Sequence, residues 1–154
     1  MNLFGVMDIS GSALEAERAR AEVVSANMAN ANTTRTESGS PYQRQHIVFE
    51  TAAVDQPQNF GEALLASAGR LPQAQQETAE GVRVAAVVSD TAPPLRRYDP
   101  GHPDADANGY VSFPNINPLT EMVDLMGAER AYGMNMSAVT ASKSMISSTL
   151  DLLK

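Results

Sequence analysis

The 154-residue sequence has no cysteine and no tryptophan. Without cysteine there is no disulfide framework, no thiolate metal site and no cysteine nucleophile. That is compatible with an oxidising compartment. Large aromatics are few, four Phe and four Tyr, although such residues normally supply much of a core's buried area. An isolated chain of this size must bury about two thirds of its surface, so the shortage points to burial shared with neighbouring subunits. No run approaches the roughly 20 apolar residues that span a bilayer. The opening MNLFGVMDISGSALEAER has neither a basic segment nor a continuous apolar stretch, so no cleavable secretory signal is expected there. Positive charge is also short: the net charge is −7. That disfavours nucleic acid, whose affinity comes largely from phosphate neutralisation, and it disfavours anionic lipid.

What is present falls into three regions: 1–34, 35–116 and 117–154. The first reads as a helix running into an Asn/Thr-rich stop. Ser12 and Glu15 have capping-box spacing, which allows a start at Ser12. Leu3, Met7, Leu14, Ala21 and Met28 nearly hold a seven-residue step, which allows an earlier start across Gly5 and Gly11. Val24 and Ala31 lie on the same face. Asn27, Asn30, Asn32, Thr33 and Thr34 then favour side-chain bonding to backbone over more helix.

The middle region holds all but one of the nine prolines. Residues 45–51 and 81–89 read as strands. In the second, Val82, Val84, Ala86 and Val88 alternate, the pattern of a half-buried strand. Residues 60–79 are Ala/Gln-rich and predict a loop or a marginal helix. Beyond them, residues 91–110 are dense in turn formers.

Residues 117–154 predict one long helix of about 55 Å. Asn117 suits the N-cap and Pro118 the first helical position. Leu125, Tyr132, Val139, Ile146 and Leu153 recur every seven residues, flanked by Met122, Met136 and Leu150. Three residues after successive seam members come Ala128, Asn135, Ser142 and Thr149, small enough for close approach. Such spacing predicts coiled-coil packing. The nearest partner is the N-terminal helix, with an opposing seam of Leu14, Ala21, Val24 and Met28. The expected fold is therefore mainly α: long N- and C-terminal helices packed as a coiled coil around a small, β-containing, loop-rich insertion.

Chemistry-bearing motifs are sparse. Asp104, Asp106, Asn108 and Gly109 match the first half of a calcium loop, whose twelfth position needs a bidentate acid. That position is Asn115, which is neutral. The competing reading is a polar turn with Gly109 at positive φ. His102 stands near Asp99, Asp104 and Asp106, a zinc-like set, but Pro100, Gly101 and Pro103 make its segment turn-like. A metal- or calcium-dependent binding module on 99–115 is the alternative reading. Arg96, Arg97 and Tyr98 form a small basic patch, expected to be solvated. No nucleophile–base arrangement or nucleotide fingerprint occurs, so neither enzyme, cofactor nor resident metal is expected.

SANMANANTT at 25–34 resembles the N-terminal signature of flagellar rod and hook axial proteins, with Met28 where Leu or Ile is usual. Pro41, Tyr42, Gln43 and Arg44 follow as in rod proteins. Asp99, Pro100, His102, Pro103, Gly109, Tyr110, Pro114 and Asn115 lie in a segment similar to that of short proximal-rod members. Glu121 to Met126, with Ala131, Tyr132 and Asn135, resemble the family's C-terminal helix. The resemblance implies a structural, torque-transmitting subunit of the basal-body rod in the periplasm, exported by the flagellar type III apparatus without a cleaved signal. It implies terminal helices forming an inner coiled-coil wall. Implied partners are other rod proteins, the rod–export-gate junction protein and sibling copies, with no nucleic acid and no membrane insertion.

Overall fold

A computed structural model describes residues 3–53 and 80–151. The Ala/Gln-rich residues 60–79 and Leu153 lie outside the described residues. The first helix, α1 (Leu3–Ala29), starts well before Ser12. Ser12 is mid-helix: its hydroxyl donates to the Ile9 carbonyl at 2.8 Å and accepts from the Val82 amide at 3.1 Å. The capping-box start is thus replaced by a tie between α1 and the middle region. α1 ends at Ala29, five residues short of the expected 34. The Asn30 side chain donates to the Ala26 carbonyl at 2.9 Å and accepts from the Thr33 hydroxyl at 3.1 Å. Side-chain competition of this kind ends helices at Asn and Thr.

β1 (Gln45–Ala53) pairs antiparallel with β2 (Glu80–Ser89), running from Gln45 opposite Ser89 to Ala53 opposite Glu80. Val48 faces Ala86 and Phe49 faces Val84, leaving Ala85 as a bulge. The bulge breaks the alternation of Val84, Ala86 and Val88, since an extra residue shifts side chains between faces. The expected half-burial of this strand is not seen: Val84, Val87 and Val88 are exposed. Only Gly81 is buried and Val82 partly so, where the strand passes α1. β3 (Leu95–Tyr98) and β4 (Tyr110–Phe113) form a second antiparallel pair.

The C-terminal helix, α2 (Pro118–Asp151), is 34 residues long. Asn117 caps it as expected: its Oδ1 accepts from the Leu119 amide at 3.0 Å and its carbonyl from the Glu121 amide at 3.1 Å. α1 and α2 pack against each other, with α1 also contacting β1 and β2. The helices are antiparallel: Asn27 meets Glu121, while Glu17 and Ala21 share a groove with Ala128 and Tyr132. Among the described residues the core is thin, its buried hydrophobic side chains being Ala16, Val24, Ala31, Val111, Ile116 and Ala128, with Pro114 beside them.

Candidate functional site

Where α1 ends, α2 begins and β1 departs, the three elements meet in a buried polar joint. Asn27 and Glu121 are each 1% exposed. The Asn27 amide nitrogen donates to the Gln45 carbonyl at 2.8 Å and to Glu121 Oε2 at 3.1 Å. Its oxygen accepts from the Gln45 amide at 2.8 Å and the Tyr42 hydroxyl at 3.2 Å. One side chain thus uses its full hydrogen-bonding capacity. Arg44 donates to Glu121 Oε1 at 2.6 Å and lies 3.6 Å from Asp124. Burial, then the Glu121 charge, pushes the Tyr42 phenol above its ordinary pKa, so it remains a neutral donor. The result is fixed register: one Asn holds β1 by a backbone-like pair of bonds and α2 by its first-turn acid.

A second tier links the segment after α1 to the turn before β4. The Thr34 hydroxyl donates to Asp104 Oδ2 at 2.7 Å, and Arg35 lies 3.7 Å from Asp104 Oδ1. Asp106 Oδ1 accepts from the Asn108 and Tyr110 amides at 2.8 and 2.9 Å, and Arg96 donates to its Oδ2 at 2.5 Å. The amide bonds hold the Asp106 carboxyl below its usual range. Gly109 has φ 78°, and an added Cβ would lie 2.9 Å from the Tyr98 ring. Both carboxylates are thus spent on backbone, hydroxyl and guanidinium partners. Among the described residues no three His, Asp or Glu side chains converge to hold a metal ion. His102 Nδ1 accepts from the Asp104 amide at 3.1 Å, and its ring meets Phe113 edge-on. Arg96 and Arg97 stack over Tyr110 and Phe113, so the basic patch clamps the β3–β4 pair.

On α2, the buried positions are Glu121, Ala128 and Ser142. Asn135, half-buried, donates to the Ala131 carbonyl of its own helix at 2.9 Å. Leu125, Val139 and Ile146 are half-buried, while Met122, Tyr132, Met136 and Leu150 are exposed. Leu119, Val123, Met126, Met134 and Met145 are exposed as well. On α1, Val24 is buried and Leu14, Ala21 and Met28 are half-buried.

The flagella basal body rod protein model matches residues 7–35, which hold α1 and its Asn-rich end. The flagellar basal body rod FlgEFG protein C-terminal model matches 107–152, which hold β4 and α2. The flagellar basal-body rod protein FlgC of Borreliella burgdorferi is 39% identical across 100% of this chain and 99% of its own length. FlgC of Yersinia enterocolitica is 38% identical over 99% and 98%, and that of Bacillus subtilis 35% over the full length of both. The chain belongs to the FlgC family. FlgC proteins are structural rod components rather than enzymes, and the basal body is where they reside.

In this FlgC-family chain the signature residues do different jobs. Asn27 builds the joint, Asn30 and Thr33 close the helix, and Thr34 reaches Asp104. Asn32 is exposed. Asp99 is bonded through its backbone to Gly109 and His102. Pro100 packs under Gly109, Tyr110 meets Tyr98 edge-on, Pro114 is buried, and Pro103 and Asn115 are exposed. Sequence reasoning missed Glu121 and Arg44 as a buried pair. The signal was present: one seven-residue step before Ala128, the small-residue stripe reaches Glu121. An acid in a stripe of close approach marks a paired charge.

Proposed function

We infer that the chain is a structural subunit of the proximal rod, transmitting torque from rotor to distal rod and hook. The rod-subunit part rests on full-length likeness to FlgC proteins. The packing part rests on one observation: α2 turns apolar side chains outward along its length, from Leu119 at 69% exposure to Met134 at 69% and Leu150 at 57%. A helix with apolar residues outside its intramolecular seam needs further helices to cover them. The terminal helices (1–34 and 117–154) serve as coiled-coil wall and 35–116 as the outer insertion. Leu14, Ala21, Val24 and Met28 oppose Leu125, Tyr132, Val139 and Ile146, with Met122, Met136 and Leu150 taken up by neighbours. Those neighbours are other rod proteins, the rod–export-gate junction protein and sibling copies, met in the periplasm after type III export.

The test is Val123→Asp and Met134→Glu, both at exposed sites. Circular dichroism of the purified variants should match the parent, while cells become non-motile and isolated basal bodies lack the chain. Normal swimming by both variants would sink the reading.

A further inference from the structure

We propose that the β1–β2 hairpin joins a second copy of this chain edge to edge, β2 of one copy pairing antiparallel with β1 of the next. The ladder shows which backbone groups are free for this. The Asp90 amide donates to the Arg44 carbonyl at 2.7 Å, and inward and outward pairs alternate along an antiparallel ladder. Gln45 and Ser89 therefore turn their N–H and C=O outward, and so do Ile47 and Val87. The extra residue of the bulge is on β2, so Phe49 of β1 is outward too. Both ends of the hairpin agree with this alternation. Asn27 exchanges two bonds with the Gln45 backbone from outside, and the Val82 amide, opposite Thr51, donates outward to Ser12. Side chains of α1 thus cap each edge where α1 reaches it. Among the described residues nothing outside the hairpin bonds to the backbone of Ile47, Phe49, Val87 or Ser89. The usual guards of an open edge are charged residues and proline, and residues 86–89 have none. The exposed strand β3, by contrast, carries Arg96 and Arg97.

The occupant follows from the fit. An open groove of about 310 Å³ lies beside the β1 edge, with Val23 and Val24 of α1 and Ile47 and Phe49 of β1 in its lining. A paired strand lies about 4.8 Å from its neighbour, which places it in this groove. The groove's charged members, Arg20, Arg44, Glu121 and Asp124, pair among themselves, so the site suits an uncharged strand with a small apolar side chain. The end of β2 is such a strand: Val87 and Val88 are 50% and 49% exposed, and the strand stops at Ser89. That stop sets the register. Ser89 stands opposite Ile47 and Val87 opposite Phe49, while the next outward place, opposite Gln45, is already taken by the Asn27 amide. Directly opposed side chains share a face of the sheet. Val87 of the incoming strand therefore turns with Ile47 and Phe49 toward the groove, and its Val88 stands beside Val48 on the other face. A hairpin with one free edge on each strand makes a heterologous contact. Copies related by rotation about an axis near the strand direction repeat β1–β2–β1–β2 with every neighbour antiparallel, round a ring or helix.

This rests on the rod reading only in requiring copies to stand side by side. The chain's lack of cysteine makes a clean test possible. Chains carrying Val48→Cys and chains carrying Val88→Cys are expressed together in cells lacking the parental copy, and isolated basal bodies are oxidised. Residues opposed at such a pair have Cα atoms about 4.5 Å apart, within reach of a disulfide. A disulfide-linked dimer is expected. It should be absent from either variant alone and from Val48→Cys mixed with Val87→Cys, whose side chains leave opposite faces. Chain recovered in basal bodies without the dimer, or with equal dimer from the opposite-face pair, overturns the edge pairing while leaving the rod reading intact. Chain absent from basal bodies in the parental strain would overturn the rod reading itself. A second arm uses Val87→Pro, which removes an outward N–H that the hairpin's own ladder does not use. Monomer melting should stay close to the parent, while the chain recovered in basal bodies falls on the order of tenfold. Val87→Lys, which leaves the backbone intact and sets a charge on the groove floor, should lower recovery similarly. Normal recovery of both variants also overturns the pairing.

Discussion

At the scale of single residues, Asn27 is the position where a small change should have the largest effect. Asn27→Asp keeps the shape but removes both donors and sets a carboxylate where Glu121 Oε2 lies 3.1 Å away. Like charges in a buried site repel, and the Gln45 carbonyl loses its donor. A loss of about 2–4 kcal/mol follows, visible as a lower melting temperature. Glu121→Gln, which keeps an acceptor for Asn27 and loses only the negative charge facing Arg44, should cost less than Asn27→Asp. The reverse order would show that the ion pair, not the amide, holds the joint. Asp106 gives a pH dependence of known sign. Its folded pKa is lowered, chiefly by the Tyr110 amide, so the unfolded chain takes up a proton more readily. The contribution of the turn is complete above about pH 4 and is lost as pH falls through the lowered value. Amide exchange at Asn108 and Tyr110 should accelerate in that window, and Asp106→Asn should flatten the acid response.

At the scale of elements, what could be read in advance was what depends on local rules. Asn117, Pro118 and the proline-free stretch after them define α2, and turn chemistry defines Gly109. Two glycines separate the terms of that chemistry. Gly39 and Gly109 have φ of 79° and 78°, but only Gly109 has Tyr98 in the space a Cβ would take. Gly39→Ala should cost about 1 kcal/mol, for the backbone term alone. Gly109→Ala should cost about 1–3 kcal/mol more, with thermal melting as the readout; equal losses would mean that the Tyr98 contact is relaxed easily. What was not legible required three elements to meet. The Arg44–Glu121 pair spans 77 positions, and the Thr34–Asp104 bond 70; no local pattern reports such a separation. The bulge at Ala85 was hidden too, because valine alternation looks the same whether or not the partner strand keeps step.

At the scale of the molecule, the question is whether this sequence is written for a monomer or for a wall of helices. Gly127 and Gly133 lie inside α2, both exposed, and beyond their own turn of helix backbone nothing comes within 4 Å of where a Cβ would be. In a lone chain they are costs without benefit, since each glycine destabilises a helix interior by about 1 kcal/mol relative to alanine. Replacing both with alanine should therefore stabilise the isolated chain by about 1–2 kcal/mol. If the glycines exist to let other helices approach closely, the same change should weaken assembly. Monomer stability, followed by urea unfolding, and motility should then move in opposite directions. If neighbours cover α2 as proposed, a monomer with few buried apolar side chains and a polar joint would gain from leaving part of its burial to them, staying easy to unfold alone and becoming rigid on assembly. Glycine-to-alanine variants that are both more stable and fully motile would break that link, and the exposed methionines and valines of α2 would then be covered without close helix contact.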